Sequence, residues 1–194
     1  MEREQFNLTK VKLLPSGGVS AEYTITEEVA GEVVTTDYAV TRASTPHPDL
    51  LKSLADLRAI VAHVFRFDTF TKILEDNSEL VKASILQETA DAFGEILDGI
   101  TIRGIAWSGT GNKKGIVITA LFDVGNGVKT AINTPRIRLD GESYGFEEVL
   151  GQYLGYITNE VFEYLFNGKQ AQLSLFGETG EELAEEEAVL MEGE

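Results

Sequence analysis

The chain contains no cysteine, which excludes disulfide scaffolds, thiolate zinc sites and cysteine nucleophiles. It has only two histidines, His47 and His63. His47 stands between prolines at an expected helix start and His63 lies inside that helix, so their spacing implies no shared site. No run of about 18 apolar residues is present, so no bilayer-spanning helix is expected. Met1-Glu2-Arg3-Glu4-Gln5 is not followed by an apolar core, so no secretory signal is expected either. These absences point to a cytoplasmic protein without a membrane partner. Positive charge is scarce: 16 Lys and Arg stand against 32 Asp and Glu, a formal charge of −16. The long-range field therefore disfavours diffuse attraction to nucleic acid or anionic membranes.

Catalytic patterns are also missing. Glu27, Glu28, Asp37, Asp91, Glu95 and Asp98 form no D-x-D or H-x-x-E pattern, and Asp37 and Asp123 are simple solvent-facing strand positions rather than a converging metal pair. The loop Ser108–Lys114 lacks the spacing of a phosphate-binding loop and lies between two strands, not before a helix. The expectation is a non-enzymatic protein with no catalytic residues, cofactor or metal.

What is present is a repeated order of elements within 194 residues, enough for one domain or two small halves sharing a core. Phe6–Leu14 reads as a strand, followed by the turn Pro15-Ser16-Gly17-Gly18. Val19–Thr26 alternates, with Val19, Ala21, Tyr23 and Ile25 on one face. After Ala30-Gly31-Glu32, Val33–Thr41 is a third strand rich in β-branched residues. A helix opens at Thr45–Asp49, with Leu50, Leu54, Leu57, Val61 and Val64 on one stripe. The second half follows the same order, offset by about 95 residues. Strands are expected at Ile100–Trp107, Gly115–Asp123 and Val128–Asn133, the last prolonged past Pro135 to Leu139. Gly125-Asn126-Gly127 marks a hairpin. A helix over Gly145–Phe166 carries Phe146, Leu150, Tyr153, Ile157, Val161 and Tyr164.

The expected fold is α+β: tandem βββα repeats with pseudo-twofold symmetry and antiparallel sheets covered by helices. Residues 1–65 form the first unit, 66–98 a helical connector, 99–166 the second unit and 167–194 an acidic tail. The sequence leaves open whether the two sheets join or pack separately.

Charge is unevenly distributed. From residue 167 onward eight glutamates face Lys169 alone, a net −7 of the −16. Between Gly99 and Asp140, Arg103, Lys113, Lys114, Lys129, Arg136 and Arg138 outnumber Asp123 and Asp140 by four. Lys10 and Lys12 share a strand face, as do Arg136 and Arg138 if that strand persists, and Arg42 occupies a comparable place in the element order. Trp107 and Tyr38 are aromatics near these cations. Basic strands with interleaved aromatics hold single-stranded nucleic acid by charge pairing and base stacking. The alternative is that Trp107 and Tyr38 are core residues and the cations ordinary surface. The tandem strand-rich, helix-backed units are broadly similar to Pur-type and whirly-type nucleic-acid-binding folds, although those use four strands per unit.

The most specific motif lies beyond the last helix. Gln172-Leu173-Ser174-Leu175-Phe176 resembles the peptide by which bacterial replication and repair proteins dock on the β sliding clamp, a Gln-Leu-Ser/Asp-Leu-Phe consensus, and all five positions match. By this resemblance Gln172 orients the peptide by hydrogen bonds at a pocket rim, while Leu175 and Phe176 fill a hydrophobic pocket. The alternation of Leu173 and Leu175 also fits an edge strand packed on the chain's own body. The acidic segment after it reads as a solubilising tail.

The reading is a non-enzymatic accessory protein of bacterial or phage DNA replication, repair or recombination. Its partners are the sliding clamp and, through the sheets, single-stranded DNA. The alternatives are a clamp inhibitor or DNA mimic, suggested by the negative charge, and a structural or assembly protein whose sheets form an oligomer.

Overall fold

A computed structural model describes residues 3–65, 97–109, 113–124, 126–141 and 144–171. Its strands are β1 (Phe6–Leu13), β2 (Val19–Val29), β3 (Glu32–Arg42), β4 (Ile100–Ser108), β5 (Gly115–Asp123), β6 (Lys129–Asn133) and β7 (Ile137–Arg138). Its helices are α1 (Pro48–Ala55), α2 (Leu57–Val64) and α3 (Glu147–Phe166). The fold is mixed α+β, with one antiparallel sheet in the order β3-β2-β1-β4-β5-β6, and β7 also pairs with β5.

The question left open by the sequence is decided at β1 and β4. They pair antiparallel over Lys10–Ala106, Val11–Ile105 and Lys12–Gly104, joining both sets of strands into one surface. Register shifts interrupt β1 between Leu8 and Lys10 and β4 between Ile102 and Gly104. Gly104 is required by the close approach: a Cβ there would stand 2.5 Å from the Val11 carbonyl oxygen.

One sheet face is apolar because alternate strand residues point toward the helices. Val11, Val19, Ala21, Tyr23, Ile102, Ile105, Ile116, Ile118 and Ala120 are buried there. The opposing stripe of α3 consists of Val149, Leu150, Tyr153, Ile157, Val161 and Tyr164. The first helical segment differs from its expected single stripe. It bends at Asp56 into two eight-residue helices, and α2 buries Ala59, Ile60 and Ala62 beside Leu57 and Val61. Packing against both the sheet and α3 explains that wider burial.

The expected strand through Pro135 is also corrected. β6 and β7 both run alongside β5 but are separated at Thr134-Pro135-Arg136. Proline has no N–H for the ladder. The buried Thr134 repairs the gap: its N–H donates to the Ile118 carbonyl at 2.9 Å, and its hydroxyl accepts from the Ile118 N–H at 3.0 Å. The helical connector falls outside the described residues except at its end, where Leu97 is buried.

Tyr164 ties α3 to the chain leaving β3. Its hydroxyl donates to the Ser44 carbonyl at 2.6 Å and lies 2.9 Å from the Ser44 hydroxyl. Tyr164→Phe removes the donor and keeps the ring, so the expected loss is about 1 kcal/mol, read as a lower denaturant midpoint with an unchanged slope.

Candidate functional site

The sequence-selected cations and aromatics divide between the two faces of the sheet. Directly opposite residues in an antiparallel ladder share a face. Lys10 and Lys12 stand opposite Ala106 and Gly104 on the face away from the helices. There they flank a groove of about 180 Å³ lined also by Val11, Ile105 and Thr119. The floor is open because glycine and alanine place almost nothing above the backbone. Lys10 bonds Glu22 at 2.7 Å across the β1–β2 ladder. Lys12, Arg103, Lys113, Lys114 and Lys129 have no carboxylate within ion-pair distance among the described residues.

Trp107 and Tyr38 do not join the lysine groove. Trp107 stands opposite the fully buried Ile116 and is partly buried on the helix-facing side. Tyr38 is opposite the buried Tyr23 and stacks on it, with ring centroids 5.3 Å apart and an interplanar angle of 14°. The β1–β4 ladder stops after Ala106, however, and a second cleft of about 340 Å³ opens there. It brings Trp107 together with Lys114, Asn7, Thr9 and Leu139.

Three of the selected arginines are engaged within the fold. Arg42 donates to the Leu165 carbonyl at 2.6 Å and lies over the Tyr164 ring, placing its charge at the C-terminal end of α3, where the helix dipole favours a cation. Arg136 donates to the Ser108 and Lys113 carbonyls, fastening the loop between β4 and β5. Arg138 pairs with Asp140 at 2.6 Å. Arg136 and Arg138 therefore do not form the continuous cationic strand face expected from alternation through Pro135.

The histidines have packing roles. His47 Nδ1 accepts from the Asp49 N–H at the start of α1. His63 Nδ1 lies 3.2 Å from the Tyr144 hydroxyl and its ring packs edge-on against Phe146. Burial pushes the Tyr144 and Tyr153 hydroxyls far above the ordinary phenol range, so they remain protonated. Among the described residues, no group of three His, Asp or Glu is arranged to hold a metal.

The five-residue motif Gln172–Phe176 lies outside the described residues, but the chain entering it is built into the body. Asn167–Ala171, assigned to the tail from sequence, returns to the start of α1. Lys169 Nζ lies 2.7 Å from both Asp49 and Glu160 carboxylates. Gln170 forms an antiparallel bridge with Pro46, and the Ala171 N–H donates to the Thr45 carbonyl at 3.1 Å. No pattern of hydrophobic spacing marks this anchor, because it is made by one lysine and two backbone groups.

The Lys169 hydrogen bond holds the Asp49 carboxyl below its ordinary range, and the Asp49 and Glu160 hydrogen bonds raise the Lys169 ammonium above its own. A lowered acid contributes stability above its unfolded pKa and loses it as pH falls through the folded value. A raised base contributes below its unfolded pKa and loses it as pH rises through the folded value. The anchor is therefore expected to persist from about pH 5 to about pH 10. Asp49 titration below that window and Lys169 titration above it, followed by NMR, should report its release. Lys169→Ala should abolish both pH-dependent changes at the Ala171 resonance. Comparison of the chain with protein-family models, curated proteins and solved structures finds no match.

Proposed function

We propose that the protein is a non-enzymatic accessory factor of bacterial or phage DNA replication, repair or recombination that docks a β sliding clamp through Gln172–Phe176. The observation that carries this reading is the five-position match to the clamp-docking consensus, directly following the anchored residue Ala171. A fixed root limits the volume searched by the following peptide. Leu175 and Phe176 supply the apolar anchors and Gln172 the orienting amide. The primary test is a titration of purified clamp with the full chain and with a chain ending at Ala171. Saturable binding by the full chain alone supports the reading, and equal binding by both removes it.

A nucleic-acid arm has its own support in the groove beside Lys10 and Lys12 and the cleft shared by Trp107 and Lys114. Short patches of cation and aromatic surface suit a single strand, with phosphates on the lysines and a base against the indole. Lys12→Glu/Lys114→Glu is expected to weaken binding of an oligothymidine at least tenfold (about 1.4 kcal/mol), measured by fluorescence anisotropy at low salt. Unchanged binding, or none by the unmodified protein, rejects this arm while leaving clamp docking intact.

The same reading includes two βββα units related by a pseudo-twofold axis. Its support is the sheet order, in which β3-β2-β1 meets the mirrored series β4-β5-β6, and the register shift within each central strand.

A further inference from the structure

The two edges of the sheet are built differently. Along β6 and β7 the edge is short and interrupted at Pro135, a construction that discourages pairing with another strand. β3 has no such protection. Its eleven residues pair with β2 from Glu32 to Arg42 without a register shift, and among the described residues no strand lies on its other side. It contains neither proline nor lysine, and Val33, Val34 and Tyr38 are 75 %, 44 % and 41 % exposed.

The turn at its start identifies the free backbone groups. Ala30 and Gly31 both have positive φ, 55° and 84°, as in the two-residue turns whose flanking residues, here Val29 and Glu32, form a hydrogen-bonded pair. Alternation then aims the N–H and C=O groups of Val33, Thr35, Asp37, Ala39 and Thr41 away from β2. Past the end of β3 at Arg42 and a bend at Ser44, the Thr45 carbonyl accepts from the Ala171 N–H.

We propose that the free edge of β3 receives the chain's own segment Gln172–Gly177 as an antiparallel strand, keeping the clamp motif occupied until a clamp displaces it. The regulatory consequence rests on the clamp reading above, whereas the strand pairing does not. Continuing the Thr45–Ala171 register places Leu173 opposite Ala43, Leu175 opposite Thr41 and Gly177 opposite Ala39. Phe176 falls opposite Val40, on the sheet side that bears Tyr38 and Val34, where it covers exposed apolar surface. The charge pattern disfavours a second copy as the occupant. A twofold β3–β3 pair centred on the strand sets Asp37 against its own counterpart, whereas Gln172–Gly177 carries no charge and is tethered at Ala171.

The cysteine-free chain permits a direct test. Directly opposite residues in a hydrogen-bonded antiparallel pair have Cα atoms about 5.5 Å apart, within disulfide range. The full chain carrying Ala39→Cys/Gly177→Cys is expected to form an intramolecular disulfide about tenfold faster than one carrying Val33→Cys/Gly177→Cys. The oxidised Ala39 variant should lose clamp binding and recover it on reduction. Equal crosslinking rates overturn the pairing, and disulfide-linked dimers in place of monomers overturn it in favour of a second copy. Crosslinking without loss of clamp binding overturns the regulatory role. Failure of the reduced variants and the unmodified chain to bind clamp removes the clamp reading and its regulation, while the crosslinking rates still decide the pairing. In the unmodified chain, slow hydrogen exchange at Ala39 and Thr41 is the matching result; unprotected exchange there overturns the pairing.

Discussion

Phe176→Ala is expected to weaken binding to a bacterial β sliding clamp by at least about thirtyfold while leaving the chain folded. A short peptide has few side chains over which to distribute its affinity, so truncating an aromatic anchor in a pocket costs about 2 kcal/mol or more. Isothermal titration of both chains measures the effect. An unchanged dissociation constant would remove the motif from the function. Leu175→Ala should reproduce the direction, and Ser174→Asp, which remains within the consensus, should retain binding.

Gly104→Val is expected to be the most damaging single change in the sheet. The β1–β4 ladder contains only three residue pairs, and a Cβ at position 104 meets the Val11 carbonyl oxygen at 2.5 Å and Lys12 Cα at 3.1 Å. Both obstacles are backbone, so a rotamer change cannot relieve them. Separating the strands there breaks the joint between the two sets of strands and costs about 3 kcal/mol. For a chain of this length the corresponding fall in melting temperature is about 6–12 °C. Gly151→Ala is the control: it lies in α3 with open space around its missing Cβ, and alanine should stabilise the helix by about 0.5–1 kcal/mol. A Gly104→Val protein that melts with the unmodified chain would show that the β1–β4 approach is not required.

The strands and α3 were legible because each has one dominant period. Val19, Ala21, Tyr23 and Ile25 alternate, and all four are buried. Leu150, Tyr153, Ile157, Val161 and Tyr164 recur at helical steps, and they too are buried. Periodicity records which way a side chain points, but not which strand lies beside it. The bend at Asp56 and the engagement of Arg42 with Leu165 therefore had no local signature sufficient to foresee them, whereas Pro135, which has no N–H for the ladder, was itself the local sign of the break. Arg42 shows the difference most clearly: its position along the strand suggested a surface cation, but the end of a helix 123 residues away supplies its acceptor.

Alternation, turn residues and the apolar stripe of α3 were enough to establish a mixed α+β chain with antiparallel strands and helical cover, and residue identity alone exposed the Gln172–Phe176 resemblance. Tertiary structure decided that the strands share one sheet, that the lysines lie across Gly104 and Ala106 while Tyr38 stacks on Tyr23, and that the chain is held at Lys169–Ala171 before the motif begins. The division follows from range. Side-chain direction and turn preference depend on a few neighbouring residues, whereas strand partners and the acceptors of buried charges depend on segments brought together only when the core closes.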